Sequence, residues 1–271
     1  MRRFHFLAPT LLGLCLMGCL SQVSLAGPKA TITREIKYQI GEQTMIGYLV
    51  MPKLVTLGTP AVLVVHEWWG QTDYPRKRAQ MLAEMGYIAF AVDMYGDRQI
   101  TEHPQEAGAF SKEVFSSAKN VKSRFDPAIQ ALLTHSPAQV GRIAAIGYCF
   151  GGSVVLEMAR QGVELAGVAS FHGGLKTPTK ASKSTLKAKI LVLHGAADPM
   201  TKQEGIEAFH QEMKSAQADY KFISYQGAKH GFSNPQASVY AKKLNFAALG
   251  YQKRADQESW AELEKFLQRI F

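Results

Sequence analysis

Cysteine is scarce in this sequence, with three among 271 residues. Cys15 and Cys19 lie in an apolar N-terminal segment, so Cys149 is the thiol expected in the mature folded chain. Without a partner there, it cannot form a structural disulfide within the chain. The thiol is therefore either a small buried hydrophobe or a functional group, and its neighbours decide between the two.

Several signatures of other protein classes are missing from the sequence. It has no internal repeat, low-complexity tract or Pro/Ser-rich linker, which predicts a single domain over residues 27–271. No spacing of histidine, cysteine and carboxylate resembles a metal site, and no glycine-rich phosphate loop follows the first parallel strand. The formal net charge is +9, but the basic residues are scattered. The sequence therefore predicts no metal, no cofactor and no nucleic-acid partner.

The chain also lacks an apolar run long enough for a membrane span. Its N-terminus has a short positive region, an apolar stretch over residues 11–20 and then small residues at Ser24-Leu25-Ala26. This order predicts a signal peptide over residues 1–26. The segment Leu16-Met17-Gly18-Cys19 also resembles a bacterial lipobox, in which Cys19 is lipidated and becomes the new N-terminus. Both routes predict export to the periplasm or medium, with membrane attachment only through a lipidated Cys19.

Apolar runs that alternate with helical patterns indicate the fold class. Residues 30–51 alternate around Gly41-Glu42-Gln43, which predicts an antiparallel hairpin at a sheet edge. Buried strands are expected at residues 61–65, 87–92, 142–146, 168–171, 190–193 and 220–225. Helical spacing between them predicts an α/β fold, with a mostly parallel central sheet and helices on both faces.

One segment between these strands is harder to interpret. Asp126-Pro127 has the pattern of a helix N-cap followed by proline at the first helical position. We expect residues 99–125, which precede it, to form a partly helical insertion over the functional site.

The segment Gly147-Tyr148-Cys149-Phe150-Gly151-Gly152 has the pattern of a nucleophile elbow, with cysteine where serine is commoner. A sharp strand-to-helix turn strains the backbone of the nucleophile, and side chains two residues before and after it would clash, which explains the glycines. The turn places Cys149 at a helix N-terminus, where a partial positive charge favours the thiolate. The alternative is a buried cysteine in a glycine-containing turn.

A nucleophile of this type needs an acid and then a histidine further along the chain. Asp198 and His230 each follow a predicted strand, in that order. Because the carboxyl ends of parallel strands share one edge of a sheet, we expect Cys149, Asp198 and His230 to converge there. His172 and His194 also lie at strand ends, but neither follows the acid. We expect His172 to line the pocket and His194 to hydrogen-bond locally.

The loop after the first parallel strand reads His66-Glu67-Trp68-Trp69-Gly70. In this kind of fold the loop supplies one backbone donor of an oxyanion hole, and the residue after the nucleophile supplies the other. The expected donors are the N–H groups of Trp68 and Phe150.

Together, this loop, the elbow with cysteine, Asp198-Pro199 and His230-Gly231-Phe232 resemble the motifs of the dienelactone hydrolase family, the carboxymethylenebutenolidase-like proteins. The similarity covers roughly residues 36–271. It implies an α/β-hydrolase fold and hydrolysis of an ester or lactone bond in a small molecule. It also implies that Glu67 contacts the nucleophilic thiol and takes up its proton when substrate binds. An exposed loop residue is the alternative for Glu67.

The resemblance also suggests substrate-binding residues. Family members that act on dienelactone hold the substrate carboxylate with two arginines, and Arg98 matches the first. Ser233-Asn234-Pro235 occupies the place where the second arginine would fall. The resemblance therefore supports ester or lactone hydrolysis better than it supports dienelactone as the substrate. An apolar pocket is expected from five aromatic residues, with core packing as the alternative: Trp68, Trp69, Tyr95, Phe150 and Phe232.

These patterns predict an exported enzyme that cleaves an ester or lactone through Cys149, His230 and Asp198, assisted by Glu67. A thioesterase or a peptidase of the same fold is one alternative. A non-catalytic exported binding protein is the other, because a fold does not dictate a function.

Overall fold

The computed structural model describes Met1, Gly27 and residues 29–271. The lipobox with Cys19, the cleavage site after Ala26 and the rest of the predicted signal peptide beyond Met1 lie outside the described residues. Within the described part of the chain, no helix combines the length and the apolar character needed to cross a bilayer.

One eight-stranded sheet runs through the described residues. Its strands are β1 (Thr31–Ile40), β2 (Gln43–Pro52), β3 (Ala61–Val65), β4 (Ile88–Val92), β5 (Ile143–Tyr148), β6 (Gly167–Phe171), β7 (Lys189–Gly195) and β8 (Tyr220–Tyr225). They lie in the order β1-β2-β4-β3-β5-β6-β7-β8. Strand β2 is antiparallel to β1 and β4, and the other neighbours are parallel. The predicted edge hairpin and mostly parallel sheet are confirmed.

Helices cover both faces of this sheet. They are α1 (Asp73–Glu84), α2 (Pro104–Val114), α3 (Ala118–His135), α4 (Phe150–Arg160), α5 (Gln203–Ser215), α6 (Ala237–Lys243) and α7 (Lys253–Ile270). Alternate residues of β3 belong to two separate apolar clusters, because successive side chains of a strand point to opposite faces. Helices α3, α4 and α5 contribute to one cluster, and α1 and α7 contribute to the other.

The helix predicted to begin at Asp126-Pro127 begins earlier, at Ala118, and Pro127 lies inside it. Ser117 caps this helix, since its hydroxyl accepts a hydrogen bond from the Asn120 amide. An internal proline removes one helical hydrogen bond and costs about 3 kcal/mol. Burial of Phe125 and other apolar side chains against the sheet offsets that cost, so the cap and the packing outweigh the proline signal. Residues 99–125 are accordingly largely helical, in α2 and the first half of α3.

Candidate active site

Cys149 lies between the end of β5 and the start of α4, with φ 53° and ψ −112°. A positive φ is uncommon for a residue with a β-carbon, so the turn strains the backbone at Cys149. A β-carbon on Gly147 would lie 2.0 Å from the Gly151 carbonyl oxygen, and one on Gly151 would lie 2.3 Å from the Val65 oxygen. The close approach of three backbone segments therefore requires glycine on both sides of the turn.

Asp198 and His230 come together at the same edge of the sheet. His230 Nδ1 lies 2.8 Å from Asp198 Oδ2, and the second carboxylate oxygen accepts the Met200 N–H at 2.8 Å. The His230 backbone is held by its N–H bond to the Ala248 oxygen at 3.1 Å. Since Nδ1 is committed to the aspartate, Nε2 is the nitrogen left free. It has no hydrogen-bond partner among the described residues.

Cys149 and His230 line one cavity of about 350 Å³. Burial alone lowers the pKa of His230, but the negative charge of the Cys149 thiolate and the hydrogen bond to Asp198 raise it above its ordinary value. The raised pKa favours the protonated, imidazolium form of His230. Of the three residues predicted from chain order, Cys149 and His230 line one cavity, and Asp198 lies buried behind the histidine.

The two predicted oxyanion donors open onto the same cavity. Trp68 and Phe150 both line it, and neither backbone N–H has an acceptor among residues 29–271. His66 holds the loop that carries Trp68: its Nδ1 lies 2.6 Å from the Glu67 oxygen, and its Nε2 accepts the Met94 N–H at 3.2 Å. The sequence reasoning passed over His66, although its place beside Glu67 at a strand end was a signal.

Glu67 is 5% exposed, so the alternative of an exposed loop residue is wrong. Its Oε2 accepts a hydrogen bond from Asn234 Nδ2 at 2.6 Å. Burial raises the pKa of Glu67 to about 7, although the Asn234 bond and the His230 charge lower it. No hydrogen bond joins Glu67 to Cys149 within the described part of the chain. The resemblance places an arginine in the segment 233–235. Here that segment instead supplies the neutral amide of Asn234 to the Glu67 carboxyl group.

Arg98 lies outside the Cys149 cavity, which corrects its assignment as a residue that binds substrate beside Cys149. Its guanidinium pairs with Glu35 at 2.7 Å, and its backbone N–H donates to Asp93 Oδ2 at 2.8 Å. The buried Asp93 carboxylate also accepts the Tyr95 and Gly96 N–H groups. This turn around Asp93 directs Arg98 toward a separate groove of about 680 Å³.

The predicted aromatic wall is only partly present. Trp68 and Phe150 line the cavity, whereas Trp69, Tyr95 and Phe232 do not. Trp69 packs on Tyr240, Tyr95 donates to the Trp68 oxygen at 3.1 Å, and Phe232 packs edge-on against His172. For these three, the core-packing alternative holds.

Sequence reasoning missed the wall that α2 and its C-terminal end supply. Ser111, Lys112 and Phe115 line the cavity, together with Met200 from the aspartate loop. The position of Met200 beside Asp198 was a usable signal, whereas the α2 residues lay in the segment that the sequence left hardest to interpret.

Neither of the competing histidines lines the cavity. His172 is buried behind Cys149 instead of facing the pocket. His194 Nδ1 has no hydrogen-bond partner among the described residues, so the expected local bond at that nitrogen is absent. Its ring packs against Phe222 instead, with ring centroids 5.6 Å apart.

Comparison with known proteins identifies the family of this chain. The sequence profile of the dienelactone hydrolase family matches residues 45–271. A protein of Saccharolobus solfataricus named "Putative carboxymethylenebutenolidase" is 25% identical over 270 residues, covering 88% of this chain and 98% of the relative. The solved structure of m3DLH superposes with a TM-score of 0.83 at 30% identity, over 89% of this chain and 99% of that one.

A second solved structure is that of P91, named as a dienelactone hydrolase-like promiscuous phosphotriesterase from metagenomic libraries. It has a TM-score of 0.81 at 27% identity and covers the same 89% of this chain and 99% of its own. With the family profile matched over most of the chain, this protein belongs to the dienelactone hydrolase family and is a hydrolase of ester or lactone bonds with the α/β-hydrolase fold.

Proposed function

We propose that Cys149 is the nucleophile of this hydrolase, that His230 is its general base and acid, and that Asp198 orients the imidazole. The observation that carries the proposal is the 2.8 Å bond from His230 Nδ1 to Asp198, which leaves Nε2 free in the cavity that Cys149 also lines. Fixing one ring nitrogen on a carboxylate selects the tautomer and orientation that the other nitrogen needs for proton transfer.

In the first half-reaction, the Cys149 thiolate attacks the carbonyl carbon and a carbon–sulfur bond forms. The electron pair moves to the carbonyl oxygen, which accepts hydrogen bonds from the N–H groups of Trp68 and Phe150. Each such donor is worth about 3–4 kcal/mol of transition-state stabilisation. As the intermediate collapses, the carbon–oxygen bond breaks and the departing alkoxide takes a proton from His230 Nε2. The product of this step is a thioester on Cys149.

In the second half-reaction, water attacks the thioester carbon while His230 Nε2 accepts its proton. The same N–H groups hold the second oxyanion. When the carbon–sulfur bond breaks, the acid is released and the thiolate returns beside the imidazolium. The imidazolium is the form of His230 that its raised pKa favours.

Glu67 is assigned a supporting proton role. The family resemblance gives the matching glutamate contact with the thiol, and its pKa of about 7 makes Glu67 able to hold or release a proton near neutrality. Its contact with the neutral Asn234 supports this assignment, because an amide stabilises a carboxylate less than a cation does.

The substrate that best fits the cavity is a compact ester or lactone with an apolar or aromatic acyl group. The volume of about 350 Å³ suits a small molecule, and Trp68, Phe115 and Phe150 supply apolar walls. Lys112 supplies a cation at the rim, where it is exposed. The pair of arginines associated with the dienelactone carboxylate is absent from this lining, so we do not assign that substrate.

The test is turnover of a panel of compounds by the purified protein and its Cys149→Ala variant. Small activated esters and lactones are expected to be hydrolysed, and both Cys149→Ala and iodoacetamide are expected to abolish the activity. Thioesters and peptides test the alternative hydrolase activities, and a phosphotriester tests the activity for which P91 is named. Unchanged ester turnover in the alanine variant contradicts the mechanism, and no turnover of any compound favours the binding-protein alternative.

We also propose that the protein is exported, on the strength of its N-terminal sequence. Mass spectrometry of the mature protein from cells distinguishes the two routes. Cleavage after Ala26 leaves an unmodified N-terminus at Gly27, whereas the lipoprotein route leaves an acylated Cys19. An intact N-terminus at Met1 contradicts both.

A further inference from the structure

A buried histidine lies directly behind the nucleophile elbow. His172 follows β6, is 1% exposed and does not line the cavity above Cys149. Its φ of 41° lies in the left-handed region that non-glycine residues rarely adopt. Cys149, with φ 53°, follows the paired strand β5. Two residues with unusual backbones therefore stand side by side at neighbouring strand ends.

The Cys149 amide joins these two residues. Its N–H lies 3.0 Å from the Phe171 oxygen and 3.1 Å from His172 Nδ1, so the hydrogen is shared between two acceptors. Because a backbone N–H can only donate, His172 Nδ1 must be the unprotonated nitrogen. The proton of the neutral ring then lies on Nε2, which donates to Ser233 Oγ at 2.9 Å.

A chain of buried polar groups continues from Ser233 to two helices. Ser233 Oγ lies 2.8 Å from the Tyr74 hydroxyl, which accepts a hydrogen bond from Arg78 Nε at 3.2 Å. Arg78 also donates to the Ser233 backbone oxygen at 2.8 Å and pairs with Asp256. Tyr74 and Arg78 belong to α1 and Asp256 to α7. These four residues form an anchoring chain that ties the His172 ring to the scaffold.

The surroundings keep His172 neutral. Burial, together with the nearby positive charges of His230 and Arg78, lowers its pKa well below the ordinary value. Both ring nitrogens already have partners, so the ring has no free lone pair for substrate or water. This excludes His172 as a general base and leaves it a structural contact with the nucleophile.

We propose that His172 is a positioning residue that fixes the strained backbone of Cys149 by accepting its amide hydrogen, while the anchoring chain fixes the ring. The proposal deepens the proposed function, since it rests on Cys149 being the nucleophile. Position matters here because a displacement of about 1 Å in a catalytic group lowers the rate by roughly 100-fold.

A pair of substitutions separates hydrogen bonding from packing. His172→Asn keeps an oxygen acceptor near the place of Nδ1, and asparagine tolerates a positive φ. His172→Leu has a similar bulk but no acceptor. We expect kcat for an activated ester to fall by roughly 30- to 100-fold in the leucine variant and by under about 5-fold in the asparagine variant, with KM nearly constant in both. Equal losses in the two variants overturn the proposal.

A readout independent of turnover follows the Cys149 amide itself. Selective ¹⁵N-cysteine labelling gives few signals, because the sequence has three cysteines. Amide exchange at Cys149 should be faster in His172→Leu than in the wild type and nearly unchanged in His172→Asn; unchanged exchange in the leucine variant contradicts the proposal. If Cys149→Ala retains turnover, the proposed function fails, yet this exchange comparison still decides the role of His172.

A second pair covers the case in which His172→Leu does not fold. Ser233→Ala removes the acceptor of His172 Nε2, and Ser170→Ala removes a buried hydroxyl of β6 that has no partner among the described residues. We expect Ser233→Ala to lower kcat by about 3- to 10-fold and to speed exchange at Cys149, the size of one lost hydrogen bond. Ser170→Ala should leave both unchanged. Equal effects of the two serine substitutions overturn the proposal.

Discussion

The two cavities near the carboxyl edge of the sheet differ in size and in character. The groove that contains Arg98 has about 680 Å³ and is lined by many polar and charged residues, several of which already have partners, such as Lys243 with Glu102 and Arg98 with Glu35. The cavity over Cys149 has about half that volume, near 350 Å³, and is walled by Trp68, Phe115 and Phe150.

The difference lies in which groups are left without partners. In the smaller cavity, His230 Nε2 and the N–H groups of Trp68 and Phe150 have no acceptor or donor among the described residues. Buried polar groups normally have hydrogen-bond partners. Several unpaired polar groups at one cavity therefore indicate the place where a substrate forms those hydrogen bonds. Volume and charge would select the groove that contains Arg98, whereas unsatisfied polar groups select the cavity that Cys149 and His230 line.

The largest expected effect sharpens this contrast at Cys149. Cys149→Ala removes the proposed attacking atom, and we expect kcat for a small activated ester to fall by about 10⁶-fold. Steady-state kinetics on enzyme of verified fold measure this loss. Residual activity within about 100-fold of the wild type contradicts covalent catalysis by Cys149.

The next largest effect concerns the acid behind the histidine. Asp198→Asn keeps the shape of the side chain but favours the wrong tautomer of His230, and we expect kcat to fall by about 10⁴-fold. Gln203→Glu, an exposed change at the start of α5, is the control and should leave kcat unaltered. A loss below about tenfold for Asp198→Asn indicates that His230 is oriented by other contacts.

The buried Glu67 carboxyl should make the stability of the protein depend on pH. The folded protein holds the Glu67 proton more tightly than the unfolded chain, since burial raises the pKa from 4.5 to about 7. The free energy of unfolding should therefore fall as pH rises through this interval. Glu67→Gln removes this dependence and should make the protein more stable above pH 8 by an amount on the order of 3 kcal/mol.

Denaturant unfolding of both proteins at pH 4 and at pH 8 measures the effect. The difference between the two proteins is the relevant quantity, because other groups titrate equally in both. A difference that does not change with pH contradicts the raised pKa of Glu67.

A smaller effect is expected at the wall of the Cys149 cavity. Phe115→Ala enlarges the cavity and should lower kcat/KM for a short apolar acyl group by about 10-fold, while bulkier acyl groups lose less. Initial rates over a series of ester chain lengths test this. An equal loss for every chain length means that Phe115 acts through stability and not through substrate contact.

The smallest effect is expected in the larger groove. Because Arg98 lies outside the Cys149 cavity, Arg98→Ala should change kcat/KM by under about twofold for neutral and carboxylate-bearing esters alike. A loss confined to the carboxylate-bearing ester restores the substrate role that the family resemblance gives to Arg98.

The sequence predicted the elements of this site that depend on local patterns and chain order. The glycines around Cys149 follow from the sterics of one turn, and Asp198 and His230 follow from strand ends that share one edge of a parallel sheet. None of these required knowledge of side-chain packing.

The failures depend on contacts between segments distant in sequence. The turn around Asp93 directs Arg98 toward Glu35. Burial of apolar side chains against the sheet allows α3 to continue past Pro127. The position of His172 behind Cys149 depends on Ser233, 61 positions further along the chain, so no local pattern distinguishes it from a pocket-lining histidine.

Trapping the covalent intermediate tests the central claim most directly. The enzyme is mixed with excess activated ester, quenched in acid within the first turnover and digested for peptide mass spectrometry. The expected result is the mass of one acyl group on the peptide that contains Cys149, absent from Cys149→Ala. An acyl group on a different residue, or a burst of product without any acylated peptide, contradicts a cysteine nucleophile.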